Sequence, residues 1–281
     1  MGASPQRFES STLRRFFKKM KVLTAKGRVR DLSFLILINI FAIVVSMTFK
    51  VNFLSSTVLF LGIPSIYLLY KEKAYLKKIL LASVTFGLFF GFIFDLIAEL
   101  NKAWDWSGGL SFGKILGIVQ IDVIVWFFLW MLQMFLFYEH FIDRKKMKSN
   151  FSSRGLGLLT IGVLSTILVT LIYNFSPSLL HFDKAYLVLC SLVSVPFLII
   201  FYNKPKLVLH TVPMIFYFFF VYLTHEITAL HLDLWRFPGD YVGLVSMLGV
   251  SFPIEELIFW MILSSLIGSI YYEWNFDNQK N

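Results

Sequence analysis

Five acidic residues interrupt segments that are otherwise almost wholly apolar, and they fall into two similar groups. The first group lies in FDLIAELNKAWDW (94–106) and VQIDVIVW (119–126). The second lies in HEITALHLDLWRF (225–237) and FPIEELIFW (252–260). These stretches contain eight acidic residues, and the five singled out are, in chain order, Asp95, Asp122, Glu226, Glu255 and Glu256. Because all five lie in apolar surroundings, they are the candidate catalytic residues of this chain.

A carboxylate in the middle of an apolar helix is costly, at about 2.5–3.5 kcal/mol on membrane-insertion scales, so such a residue usually has a task. Without water to stabilise the anion, the neutral acid is favoured. A neutral carboxylic acid in a dry pocket is able to protonate a weak base such as an alkene. Glu255 and Glu256 could instead be structural, bonded to a carbonyl freed by a helix kink at Pro253 or to a neighbouring helix. We favour Glu256 for the pocket, with Glu255 as its support.

The two acidic groups align with each other along the chain. Asp95 falls on Glu226 and Trp104 on Trp235 without a gap, and each Trp follows its acid by nine residues. A three-residue difference in loop length then places Asp122 on Glu256. From this alignment we expect Asp95 and Glu226 near the outer ends of their helices, with Asp122 and Glu256 two or more turns down the next ones.

Aromatic residues accompany the acids in both groups, and they are candidates for the walls of a substrate pocket. Trp and Tyr also gather at membrane interfaces, which explains part of the pattern. The constant spacing favours a second role, in which the rings enclose a substrate and stabilise a passing cation. The candidate substrate-binding residues are Trp104, Trp106, Trp126, Trp235, Phe237 and Trp260.

No metal or cofactor site is predicted. HEITALH (225–231) has its two histidines six residues apart, whereas a zinc pair on one helix face is spaced by four. The sequence has no Gly-rich phosphate loop, no Asp-rich box for magnesium and pyrophosphate, and no lysine in mid-helix for retinal. We therefore expect chemistry carried out by side chains alone, with no cofactor.

The composition predicts an all-α integral membrane protein. Of its 281 residues, 57% are hydrophobic and only 15% are charged, and the mean hydropathy is +0.72. A span needs roughly 20 apolar residues, and about eight transmembrane helices follow from the apolar runs. These runs are 32–49, 58–70, 79–100, 115–137, 156–173, 186–202, 207–230 and 242–270.

The positive charges support this topology. Cytoplasmic loops retain Lys and Arg, and an eight-helix arrangement with both termini inside places 21 of the 26 Lys and Arg residues there, leaving five outside. The predicted location is a bacterial or archaeal cytoplasmic membrane, crossed several times. The net charge of +9 then reflects this bias together with a basic tail, LRRFFKKMK (13–21), which can lie on anionic lipid, and it needs no nucleic-acid partner.

The predicted organisation is two parallel four-helix repeats, because an even number of helices per half makes both halves cross in the same direction. The predicted parts are a basic cytoplasmic N-terminal tail, the first repeat, a basic cytoplasmic linker, the second repeat and a short cytoplasmic C-terminal tail. Their bounds are 1–31, 32–142, 143–155, 156–272 and 273–281. Formation of a homo-oligomer is left open.

The order of these motifs resembles the lycopene cyclase domain of heterodimeric and fused carotenoid cyclases. That family has an acid, then Trp-x-aromatic, then P-x-E-E at the head of the next helix, in two copies. The resemblance implies cofactor-independent, acid-initiated cyclisation of a hydrophobic polyene. By the same resemblance, Glu255 and Glu256 are the leading acid/base residues, and Asp95 and Glu226 assist. The first half departs from the pattern, since VQID (119–122) replaces P-x-E-E.

Two other classes of protein fit parts of the pattern. A non-catalytic polyprenoid- or lipid-binding protein, or a proton-coupled transporter, also places acids inside a repeat bundle. A membrane CAAX protease has a similar P-x-x-E-E lead, but Trp260 stands where that family has Arg, and only 21 residues follow it. The sequence does not specify the polyene, the ring type, the number of ends that react or whether the first half is active.

Overall fold

The computed structural model describes the backbone of residues 6–106, 111–143 and 152–277, and their side chains from residue 26 onward. The chain is 78% helical, and the described part has eight helices long and apolar enough to cross a membrane, which confirms the predicted number. They are α1 (Gln6–Phe49), α2 (Phe53–Lys71), α3 (Lys73–Leu100), α4 (Ile121–Ile142), α5 (Ser153–Phe175), α6 (Ala185–Asn203), α7 (Pro213–His231) and α8 (Glu256–Phe276). A short helix, Pro205–Thr211, joins α6 to α7.

Two β-hairpins correct the all-α prediction. β1 (Lys114–Ile115) pairs with β2 (Val119–Gln120), and β3 (Leu244–Met247) pairs with β4 (Val250–Pro253), both antiparallel. The hairpins precede α4 and α8, so the predicted fourth and eighth spans began too early. Their apolar residues extended the helical pattern, and periodicity alone does not separate a short apolar strand from a buried helix.

The second hairpin turns tightly through Leu248 and Gly249, which have φ of 50° and 83°. Positive φ at both central residues is typical of the two-residue turn that matches the twist of antiparallel strands. Pro253 is therefore the last residue of β4 and not a kink inside a helix. The suggested structural role for the acids, bonding a carbonyl freed by such a kink, does not arise.

The helices α4 and α8 form the centre of the bundle. In the most apolar 18-residue stretch of each of these two helices, 67% of the residues are buried, compared with 22% for α1, 11% for α5 and 28% for α6. Helix α3 approaches α4 closely at Gly87, where an added Cβ would lie 2.6 Å from the Cα of Phe128. The peripheral helices direct large apolar side chains outward, for example Leu164 on α5, which is 60% exposed.

Four of the long helices contain a π-helical segment. These are Val58–Gly62 in α2, Val84–Phe90 in α3, Tyr138–Ile142 at the end of α4 and Glu256–Leu263 in α8. A π segment adds a residue to a turn and is common at functional sites. The segment in α8 begins at one of the candidate acids.

A buried charged cluster ties α3, α4 and α8 together at the end of the bundle where α3 begins. The ammonium of Lys78 lies 2.5 Å from Glu139 and 3.3 Å from Asp277, and all three residues are buried. Burial raises the pKa of Asp277, which lies beyond the end of α8, and the charge of Lys78 acts in the opposite direction. The cluster fixes this end of the central helices.

Candidate functional site

Two buried carboxylates are each held by the indole of a tryptophan nine residues later. Trp235 Nε1 donates to Glu226 Oε1 at 2.9 Å, and Trp104 Nε1 donates to Asp95 Oδ1 at 3.1 Å. Glu226 is 4% exposed and Asp95 is fully buried. The regular spacing seen in the sequence therefore corresponds to a hydrogen bond made in the same way twice.

The turn that follows each acid brings the tryptophan back to it. After α3, Ala103 N donates to the carbonyl of Ala98 at 2.8 Å; after α7, Leu234 N donates to that of Ala229 at 2.9 Å. In each turn, one residue adopts the left-handed backbone conformation that reverses the chain, and the two residues occupy corresponding positions. These residues are Lys102 and Asp233, with φ of 54° and 55°.

The two turns also bind each other. Asp105 N donates to the carbonyl of Arg236 at 2.9 Å, and Arg236 N donates back to Asp105 at 2.8 Å. Tyr241 adds a second link, since its hydroxyl donates to the carbonyl of Ala103 at 2.5 Å and accepts from Gly239 N. Burial raises the pKa of Tyr241 to about 12, so this hydroxyl keeps its proton at neutral pH. The two acid–tryptophan pairs are thereby fixed side by side.

Asp122 and Glu255 have a common role in holding the loops that lead into the hairpins. Asp122 accepts from the backbone N–H groups of Ser111 and Phe112, at 3.0 and 2.8 Å. Glu255 accepts from the N–H of Val242 at 2.7 Å. The contacts thus match Asp122 with Glu255, and the alignment of Asp122 with Glu256 was wrong.

The π segment of α8 explains this shift. It adds one residue after Glu255, so that Trp126 of α4 and Trp260 of α8 still face each other, stacked with centroids 5.1 Å apart. Glu256 is the first residue of that segment, and Asp122 is the second residue of α4. Both acids therefore lie at the start of their helices, and not two or more turns inside as expected.

Glu226 and Glu256 line one small chamber, with a volume of about 30 Å³. This is room for one or two water molecules. All six aromatic residues predicted to bind substrate are in its walls: Trp104, Trp106, Trp126, Trp235, Phe237 and Trp260. Asp95, Asp122 and Glu255 are not in the walls. Of the five predicted acids, two line the chamber. Asp95 lies behind the wall, where it accepts a hydrogen bond from the wall residue Trp104.

Five further residues that were not selected from the sequence line the chamber, among them Leu61 of α2. Tyr186, at the start of α6 and 1% exposed, donates its hydroxyl to Glu256 Oε2. Trp130 lies one helical turn after Trp126, and Tyr222 and His225 lie on α7 close to Glu226. Trp130 could have been predicted from its spacing to Trp126, and Tyr222 and His225 from their spacing to Glu226. No such signal exists for Tyr186, which is 70 residues from its partner.

Three stacked indoles form one wall of the chamber. Trp130 lies 4.3 Å from Trp260 between ring centroids, and Trp126 lies 5.9 Å from Trp130. Trp130 and Trp260 also line a second, much larger space of about 800 Å³ on the other side. The acids and this larger space are therefore separated by two side chains.

The larger space is an apolar groove between α3, α4, α6 and α8. Its walls are mainly Phe, Leu, Ile and Val side chains, among them Phe94, Phe127 and Phe259. It reaches Trp274 near the end of α8, 14 residues from Trp260, which is about 20 Å at the rise of a helix. A long, thin hydrocarbon fits a space of this shape and lining.

The described residues offer one acidic group compact enough for a metal ion. It comprises Glu139, Asp143 and Asp277, whose ligand atoms lie within 4.8 Å of one another. Lys78 contacts two of these carboxylates and supplies a cation there already. The histidines of HEITALH have separate partners, since His225 bonds the hydroxyl of Ser56 and His231 the carbonyl of Leu248.

The resemblance noted in the sequence is neither supported nor contradicted by known proteins. Comparisons with models of known families, with curated proteins and with solved structures gave no match.

Proposed function

We propose that this chain is a multi-pass integral membrane protein that cyclises a linear, carotenoid-like polyene by acid catalysis, without a cofactor. The location we propose is a bacterial or archaeal cytoplasmic membrane with both termini inside. Eight apolar helices, outward-facing apolar side chains on the peripheral ones, and 21 of 26 basic residues on one side support membrane insertion.

The proposed architecture is two parallel four-helix repeats, and the backbone supports it. In the described part, eight residues have positive φ, and they fall into four pairs at nearly constant separation along the chain. The pairs are Lys50 with Lys184, Lys102 with Asp233, Leu116 with Leu248, and Gly117 with Gly249. Because positive φ is rare outside glycine, its recurrence at matched sites favours duplication of one unit.

One observation carries the proposed chemistry: two buried carboxyl groups face a single aromatic chamber whose indole wall adjoins a long apolar groove. The groove would hold the hydrocarbon, with its terminal double bond directed toward Trp130 and Trp260. Those two indoles would have to move aside for the chain end to reach the acids, because the chamber itself is small.

In the proposed reaction, Glu256 acts as the acid, because Tyr186 donates a hydrogen bond to it and stabilises the carboxylate left after proton transfer. The terminal double bond takes the proton and becomes a tertiary cation. The next suitably placed double bond attacks this cation and closes the ring, and the surrounding indole faces stabilise the charge. Glu226, which starts as the carboxylate, then removes a proton from carbon to form the ring double bond. Before the next cycle Glu226 gives this proton to water and Glu256 takes one up. One proton is gained and one is lost, so no cofactor is needed.

Among the described residues of the first half, no acid lines the chamber. Its loop acid, Asp122, accepts two backbone hydrogen bonds, and Asp95 lies behind Trp104. We therefore propose one reaction chamber per chain, with the first half acting as a support for it. A single chamber would act on one end of a polyene at a time.

The test is expression in a host that accumulates lycopene, followed by chromatography of the pigments. The wild-type chain should give ring products, and Glu256→Gln and Glu226→Gln should give none at equal protein level. Glu99→Gln is the matched control, because Glu99 is on α3 but does not line the chamber. If the wild-type chain leaves lycopene unchanged, a protein that binds or transports polyprenoids becomes the better explanation of the groove.

A further inference from the structure

The end of the groove opposite the acids is polar and positively charged. Lys204 and Trp274 are both in the groove wall there, with Lys204 Nζ 4.4 Å from the centre of the Trp274 ring. The guanidinium of Arg154 lies 5.2 Å from the same ring centre. Two cations thus share one aromatic residue at the mouth of an otherwise apolar space.

Neither cation has an ion-pair partner in the part of the chain that the structure describes. The nearest polar wall groups, Asn203 and Asn275, each donate a side-chain hydrogen bond to the carbonyl four residues earlier in their own helix. Within the described ranges, therefore, no carboxylate neutralises this mouth. A cation in such a place favours an anionic ligand, and phosphate groups pair well with both Lys and Arg.

The distance between the two ends of the groove limits the ligand. About 20 Å along α8 separate Trp274 from Trp260, which is the length of roughly sixteen bonds of an extended chain. That is about four isoprene units. An anionic group at Lys204 would therefore place the last double bond of such a chain beside the indole wall of the chamber.

We propose that the groove binds an anionic polyprenyl lipid, with its phosphate on Lys204 and Arg154 and its terminal isoprene unit at Trp260. This inference deepens the proposed function and rests on it for the choice of a polyprenyl chain over an acyl chain, because only a polyprenyl chain ends in a trisubstituted double bond that gives a tertiary cation on protonation. The phosphate serves as an anchor and is not cleaved. The substrate class is thereby a prenyl phosphate of about four units, in addition to, or in place of, an uncharged carotene.

The experiment measures binding to the purified full-length chain in lipid nanodiscs, with quenching of tryptophan fluorescence as the signal. The probes are geranylgeranyl phosphate, geranylgeraniol as the uncharged chain of equal length, and phosphatidylglycerol as an anionic lipid with two acyl chains. We expect geranylgeranyl phosphate to bind more than tenfold more tightly than geranylgeraniol, because one desolvated ion pair contributes at least that factor to the affinity. Phosphatidylglycerol should not displace it at equal concentration.

Two variants locate the ligand, and one serves as control. Lys204→Gln should reduce the preference for the phosphate to about twofold or less while binding of the alcohol stays unchanged, which also shows that the variant folds. Leu192→Trp, on the groove wall, should weaken both probes equally. Lys206→Gln is the matched control, since Lys206 is exposed and lies outside the groove wall.

Equal binding of phosphate and alcohol, or displacement by phosphatidylglycerol, would overturn this inference. Binding does not require the acids to react, so the two proposals fail separately. Tight binding of the phosphate with no ring product from any polyene would keep the anionic ligand and remove the cyclase. Ring formation from lycopene without preference for the phosphate would do the reverse.

Discussion

The hydroxyl of Tyr186 should speed proton donation by Glu256, and Tyr186→Phe tests this directly. The substitution keeps the ring, which packs edge-on against Trp104 with centroids 5.6 Å apart, and removes only the hydroxyl that donates to the carboxyl group. Tyr186 is 1% exposed, so water would not replace the lost hydrogen bond easily.

The size of the effect follows from the change in charge of Glu256 during the reaction. A hydrogen bond to a charged group contributes about 1.5–3 kcal/mol, and one to a neutral group about 0.5–1.5 kcal/mol. Glu256 starts as a neutral acid and ends as a carboxylate, so the hydrogen bond strengthens by about 1–1.5 kcal/mol as the proton leaves. Tyr186→Phe should therefore slow the reaction roughly five- to tenfold.

The assay is the initial rate of lycopene consumption in vesicles containing equal amounts of each variant. Tyr202→Phe is the matched control, because Tyr202 is on the same helix and 87% exposed. A rate for Tyr186→Phe within twofold of wild type would refute the assigned role of this hydrogen bond.

Further predictions concern packing, charge and the first half. Gly87→Ala should lower the free energy of unfolding by about 1–3 kcal/mol, because the added methyl group would meet the backbone of α4. Gly157→Ala, with open space around the glycine, should leave it unchanged. Thermal unfolding in detergent measures both variants. In the same assay, Lys78→Met should lower the free energy of unfolding by about 3–5 kcal/mol, because two buried carboxylates lose their cation. Lys77→Met should change it little, because Lys77 is exposed. Asp95→Asn should slow lycopene conversion without abolishing it, because this acid lies behind the chamber wall; a complete loss, as expected for the chamber glutamates, would contradict that placement.

The number of helices and the acid–tryptophan register were predictable because both depend on local sequence. Apolar length fixes a span, and a helix end followed by a tight turn fixes the nine-residue return from Glu226 to Trp235. The same spacing predicted six of the aromatic residues that line the chamber, including Trp104 and Trp106, but not Trp130, Tyr186 or Tyr222.

Other features depend on contacts that the sequence does not display. The hairpins before α4 and α8 were assigned to helices because their apolar residues continue the helical pattern, although Gly117 and Gly249 mark the turns. The π segment that starts at Glu256 moves the register by one residue, so the alignment matched Asp122 with the wrong acid. Tyr186 joins the chamber only because α6 packs beside α8, and no spacing rule predicts that contact.

The most direct test of the acid chamber is to run the reaction in heavy water. If Glu256 or its partner gives a solvent-exchangeable proton to the terminal double bond, each ring formed from lycopene should carry one deuterium on carbon, at the position that was protonated. Glu256→Gln vesicles should give neither rings nor labelled product. Rings formed without deuterium would mean that the proton does not come from an exchangeable acid, and would contradict the mechanism.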